Sequence, residues 1–201
     1  MKRIVIVVLL LSAAVAHGDY TYVFGPGASF GALTLVDSES ILVNGGWGDS
    51  LGLASYSSGR IESTSPLGYL TGGIWEMSVG GYSSAVVTGG EFSAMYVGQY
   101  GTLALSGGSL VSLYCTSYDL PAVPEDKYIQ FICKSYSYNA GTKRLTGIWA
   151  DDSAFDIQLV DTSPYPSGYT FDSINFVTIP EPLSLALLAL GGLLLPGYKR
   201  E

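Results

Sequence analysis

The chain has 201 residues, including 26 glycines and 15 tyrosines, with only 13% charged side chains and a formal net charge of −8. Few charges together with a positive mean hydropathy of +0.34 exclude an intrinsically disordered chain. The acidic balance argues against nucleic acid as a partner, and His17, the single histidine, lies too near the start to support Ser-His-Asp, Cys-His or His-based metal chemistry.

Met1 to Ala16 opens with Lys2 and Arg3, continues as an apolar run from Ile4 to Leu11, and ends in Ala14-Val15-Ala16. A basic start, a short apolar run and a small-x-small end are the parts of a secretory signal peptide, so residues 1–16 are expected to be removed on export. Loss of both terminal basic clusters leaves the remainder more acidic still. Residues Tyr20 to Phe24 alternate in polarity and end in Gly-Pro-Gly. They are expected to be an edge strand covering the open end of a repeat array that begins at Gly27.

Between Gly27 and Tyr118 one pattern recurs about every 18 residues. Glycine pairs at 45–46, 72–73, 89–90 and 107–108 open successive units, and Gly27 opens an earlier one. Apolar residues recur in columns: Leu33, Leu51, Met77, Met95 and Leu113; then Leu35, Leu53, Val79, Val97 and Cys115; then Val43, Ile61, Val87 and Leu105. The unit opening at Gly72 is one residue short. Apolar positions two apart, broken by turns, have the period of strands rather than of helices. A short fixed period implies stacking, because one unit cannot bury its apolar face alone.

The expected fold is therefore all-β: a parallel β-solenoid, right-handed as parallel crossovers are, with two short strands per coil. About five coils stacked at roughly 4.8 Å give a prism on the order of 25 Å long. An antiparallel sandwich with Gly-rich hairpins is the competing arrangement. The stretch Ser63 to Thr71 interrupts the period and reads as a loop bulging from one face. Tyr56, Tyr82, Tyr100 and Tyr118 form a further column. It is either a platform for sugar rings or a cover for a corner of the coil.

Past residue 118 the period stops. Leu120 to Asp126, with two prolines and two acids, reads as a linker. Lys127 to Tyr138, Leu145 to Ala150, Ala154 to Val160 and Tyr169 to Ile179 then read as four strands, with a hairpin turn over 139–143. Residues 119–179 are expected to be an antiparallel β cap packing Phe131, Trp149, Phe155 and Phe171 on the last coil.

Pro180-Glu181-Pro182 is followed by Leu183 to Leu195, with eight leucines and no charge, and then by Lys199 and Arg200 before Glu201. Thirteen helical residues span about 20 Å against roughly 30 Å of hydrocarbon, so the apolar segment, extended over 183–198, is short for a permanent anchor. Lys199 and Arg200 would hold its end in the cytoplasm. This order of Pro-Glu-Pro, Leu-rich segment and basic end resembles the PEP-CTERM sorting signal of bacterial exported proteins. The resemblance covers residues 180–201. It implies recognition by an exosortase, a membrane cysteine protease-transpeptidase that cleaves near the Pro-Glu-Pro motif. It further implies an inner-membrane intermediate, then display at the cell surface or in an extracellular polysaccharide matrix. The Ser-Gly-Gly and Thr-Gly-Gly corners also look like those of exported repeat proteins of this kind, for which no enzyme activity is implied.

Little else in the chain suggests chemistry. In an exported chain Cys115 and Cys133 either form a disulfide or stay as two buried thiols. Asp151, Asp152 and Asp156 gather near a turn, where a calcium corner or a carboxylate pair competes with ordinary solvated turn chemistry. Arg60 is the only cation from Gly27 to Tyr118, too few for a lyase acting on acidic sugars. The expectation is a non-catalytic structural or adhesive protein without cofactor or metal. The alternative is a carbohydrate-binding module, with exopolysaccharide as the partner in either case.

Overall fold

The computed structural model describes residues 20–64, 73–98, 100–115, 129–162 and 169–179. The expected signal peptide, the linker, Tyr118 and the whole tail from Pro180 lie outside the described residues, as does most of the bulge after Ser63. The strands are β1 (Tyr22–Phe24), β2 (Ser29–Leu35), β3 (Ser40–Leu53), β4 (Ser58–Thr64), β5 (Ile74–Val79), β6 (Ser84–Val87) and β7 (Glu91–Val97). They continue as β8 (Thr102–Leu105), β9 (Ser109–Cys115), β10 (Ile129–Asn139), β11 (Arg144–Trp149), β12 (Ala154–Asp161) and β13 (Ile174–Thr178), with a helical turn α1 (Tyr169–Asp172) before the last.

The protein is all-β, and the 13 strands among the described residues form one large, mostly parallel sheet. It has two parallel runs. One passes through β2, the second half of β3, β5, β7, β9 and β12. The other passes through β1, the first half of β3, β4, β6, β8, β10 and β13. Strand β3 belongs to both because it turns at Gly45, whose φ of 93° is a left-handed value that glycine reaches without a Cβ penalty. Side chains from both runs share one hydrophobic core.

Register places the apolar columns directly on one another. Leu33 pairs with Leu51, Leu51 with Met77, Met77 with Met95 and Met95 with Leu113. Val43, Ile61, Val87 and Leu105 stack likewise on the other run, and Phe131 extends them. Leu51, Met77, Met95 and Leu113 are each at most 1% exposed. The unit that is one residue short thus keeps its columns in line.

Along the first run, burial does not alternate strictly. Inward side chains fall at Ile74, Met77 and Val79, at Phe92, Met95 and Val97, and at Leu110, Leu113 and Cys115. A step of three followed by a step of two means that each strand bends, turning two consecutive residues outward. In β3 the first of these inward places is Gly48, and a Cβ there would collide with the ring of Phe30 from β2, which fills the space instead. That exchange of glycine for a neighbour's aromatic ring keeps the core close-packed at the first rungs.

The C-terminal strands correct the expected cap. Strand β11 is antiparallel to both β10 and β12, but β12 is parallel to β9, and β10 is parallel to both β8 and β13. Both runs therefore continue into the cap, and β11 joins them at that end. The fourth expected strand, Tyr169 to Ile179, is instead α1 followed by β13, with the Thr170 hydroxyl donating to the Val160 carbonyl at 2.9 Å. Phe131, Trp149 and Phe155 cluster as expected, with the Phe131 and Trp149 rings 5.2 Å apart. The Trp149 Nε1–H donates to the Gly108 carbonyl at 2.9 Å, pinning the cap to the last glycine corner. Phe171 packs against the edge of the same core, its ring stacked on Tyr138 at 4.0 Å and 5.7 Å from Phe176, which in turn meets Phe131.

Candidate functional site

Three members of the tyrosine column, Tyr56, Tyr82 and Tyr100, stack on one another at the surface of the repeat region. Tyr56 and Tyr82 stack with ring centroids 5.3 Å apart and planes 8° from parallel, and Tyr82 and Tyr100 stack at 4.5 Å and 1°. Their relative exposures are 67%, 54% and 37%. Each occupies the turn that connects the two runs. Ser57 N–H donates to the Ala54 carbonyl, Ser83 N–H to Gly80 and Gly101 N–H to Gly98, closing four-residue turns.

In the first two of these turns both central residues have positive φ: Ser55 at 49° and Tyr56 at 71°, then Gly81 at 58° and Tyr82 at 66°. That is the type I′ signature, which glycine, asparagine and aspartate usually supply. Tyr100 has φ 59° as well. Three tyrosines in a left-handed conformation carry a backbone cost of order 1–3 kcal/mol each. Ring stacking of about 0.5–1.5 kcal/mol per pair offsets part of it. The preceding turn, Val36 to Glu39, has the same geometry with Asp37 at 49° and Ser38 at 76°, and no aromatic side chain.

The rings of the column therefore stack on one another along the ladder. With centroids 4.5–5.3 Å apart, neighbouring rings cover each other's faces. A second stack, Tyr96 on Tyr114 at 4.5 Å, lies on the outer side of the first run. Burial raises the Tyr96 phenol above its ordinary pKa, helped by the Glu76 carboxylate and by Tyr114. Trp75 stands on the same outer side, 65% exposed. It belongs to none of the repeating columns, and a tryptophan beside Glu76 is the only sequence signal that marks it.

Cys115 and Cys133 are both buried thiols in this structure, not a disulfide. Cys115 ends the inward column of β9, while Cys133 lies on β10 between Trp149 and Thr178. Burial pushes the Cys133 thiol above its ordinary pKa, making it a poor nucleophile. The three aspartates near residue 150 do not converge. Asp152 pairs with Lys134, Asp156 with Arg144, and Asp151 accepts from Ser153. Among the described residues no group of three or more metal-ligating side chains comes together.

Arg60 is paired with Glu62 at 2.8 Å. The inward column of Leu35 to Cys115 ends at Asp161, whose carboxylate is 7% exposed and held by Lys143 at 2.9 Å and by the Thr170 N–H. Nothing in the repeat spacing announces this polar stopper at the capped end. Pro180, Glu181, Pro182, Lys199 and Arg200 lie outside the described residues. Among those described, no helix is long and apolar enough to cross a membrane. No family model matches the chain, and neither a curated protein nor a solved structure matches it.

Proposed function

We propose that the chain is a non-catalytic exported protein, structural or adhesive, built on a right-handed parallel β-solenoid of about 18 residues per coil. Its tail is processed near Pro180-Glu181-Pro182 by an exosortase-type enzyme, after an inner-membrane stage held by residues 183–198. The mature protein is displayed at the cell envelope or in extracellular polysaccharide. The observation that carries the solenoid is register: partners such as Leu33 and Leu51, Met77 and Met95, and Met95 and Leu113 lie 18 residues apart on one run. Val43 and Ile61, and Val87 and Leu105, keep the same interval on the other. A scaffold of repeated rungs, in which Arg60, Lys134, Lys143 and Arg144 are each tied to a carboxylate, suits display better than catalysis. The sorting step rests on the sequence order of the tail.

Mass spectrometry of the protein recovered from an exosortase-bearing host tests this. The expected mature chain starts after Ala16 and ends near Glu181. A secreted form intact through Glu201 would overturn processing. A second reading, a carbohydrate-binding module, is favoured by the exposed stack of Tyr56, Tyr82 and Tyr100.

A further inference from the structure

Among the described residues, the outer ring face of Tyr56 at one end of the stack has no aromatic partner, and that face has the features of a binding site. Tyr82 is covered on both sides, by Tyr56 and by Tyr100. Among the described residues, a ring covers Tyr56 on one side only. Where the next ring of the ladder would lie, the preceding turn carries Ser38, exposed and with the same left-handed backbone as the tyrosines, φ 76° against 71° at Tyr56. The ladder thus stops one step short, over a small hydroxyl side chain. Tyr56 is accordingly the most exposed large apolar side chain among the described residues, at 67%.

The groups beside this open step define what fits. Asp37, next to Ser38 in the turn, is exposed. Glu39, on the other side, is engaged by the Tyr22 hydroxyl at 3.2 Å and the Val36 N–H at 3.0 Å. The slot therefore combines one flat π face with a carboxylate that accepts hydrogen bonds and a hydroxyl that both accepts and donates them. We infer that the outer face of Tyr56, above Ser38 and beside Asp37, binds a single neutral pyranose ring of a polysaccharide.

The C–H face of a sugar ring stacks on an aromatic face, and its ring hydroxyls suit Asp37 and Ser38. An aromatic side chain from a second copy is a poorer occupant, because two such ends meeting would bring the two Asp37 carboxylates together unpaired. An anionic sugar meets both Asp37 and a net charge of −8. This inference rests on the carbohydrate-binding reading and gives it a location: the end of the ladder rather than its side.

The test is titration of the purified chain, with 13C-labelled tyrosine rings, against cellotetraose and laminaritetraose by NMR. A single exposed ring face with a few hydrogen bonds predicts a dissociation constant of about 1 mM, with the largest shift at the Tyr56 ring. Tyr56→Asn, which keeps a residue suited to the left-handed turn, weakens binding at least tenfold, and Asp37→Ala weakens it several-fold. Tyr100→Asn leaves binding within a factor of two. Thermal melts of each variant separate lost binding from lost folding.

No shift with either tetrasaccharide overturns both the inference and the carbohydrate-binding reading. Binding that survives in folded Tyr56→Asn, or falls equally in Tyr100→Asn, overturns the location while leaving the reading in place. Sedimentation equilibrium showing a dimer abolished by Tyr56→Asn would assign the slot to a second copy and also overturn it.

Discussion

Met95→Ala tests whether stability resides in the stacked columns. Met95 is 1% exposed and lies in register between Met77 and Leu113, with Phe92 and Val97 buried on its own strand. Backbone ladders on both sides fix its neighbours, so the space left by truncation cannot collapse. The cost belongs in the upper part of the range for such changes, about 3–5 kcal/mol. Leu33→Ala removes a side chain from the same column at its first step. There the residue is half-buried and β2 pairs with β3 alone, so the cost is about 1–2 kcal/mol. Urea titrations followed by tryptophan fluorescence give both values, and the Met95→Ala melting temperature should drop by roughly 10 °C. Equal losses at the two positions, with equal urea dependence, would refute the idea that each rung is stabilised by the rungs on either side.

Ser57 and Ser83 occupy equivalent buried places with opposite prospects. Among the described residues the Ser57 hydroxyl has no hydrogen-bond partner, whereas the Ser83 hydroxyl donates to the Leu53 carbonyl at 2.9 Å. Ser57→Ala should leave the melting temperature unchanged or higher, while Ser83→Ala should lose about 1 kcal/mol by the same urea titration. Asp156 is held below the ordinary carboxylate pKa by its hydrogen bond from Arg144 and by that residue's charge. Its stabilising effect is present above the ordinary aspartate value of about 3.9 and is lost as the pH falls through the lower folded value. The melting-temperature gap between wild type and Asp156→Asn should therefore close on acidification, and it should be small at all pH values because the pair is half exposed to water. Iodoacetamide at mildly alkaline pH should spare both cysteines in the native protein and label both in denaturant without prior reduction. A requirement for reductant would show a disulfide.

The columns are legible from sequence because one interval places many side chains in line, and a mistake at one unit would misplace Met77, Val79 and Val87 together. The bend within each strand is not legible. A step of three between Phe92 and Met95 needs knowledge of where the backbone turns, and Ser93 and Ala94 are bland enough to face either way. The tyrosine column is visible as spacing, but its chemistry is not. Only the left-handed backbone and the 4.5–5.3 Å separations reveal rings that cover one another. From sequence the cap looks separate because the period ends. Leu103 and Ile129 nevertheless pair across the break, which spacing alone does not announce. Asp161 is likewise hidden, since a carboxylate ending an apolar column looks like the close of a strand until Lys143 is seen beside it.

Three of the longer register intervals share one length. Leu51 to Met77, Ile61 to Val87 and Leu105 to Phe131 each span 26 residues while the columns stay aligned. The additional residues leave the register of the described strands unchanged, so the interior is insulated from changes in length at these points of the chain. New loops can be gained or discarded at those points during evolution without renegotiating a single packed side chain. The outer contour is thereby free to diversify around a constant interior.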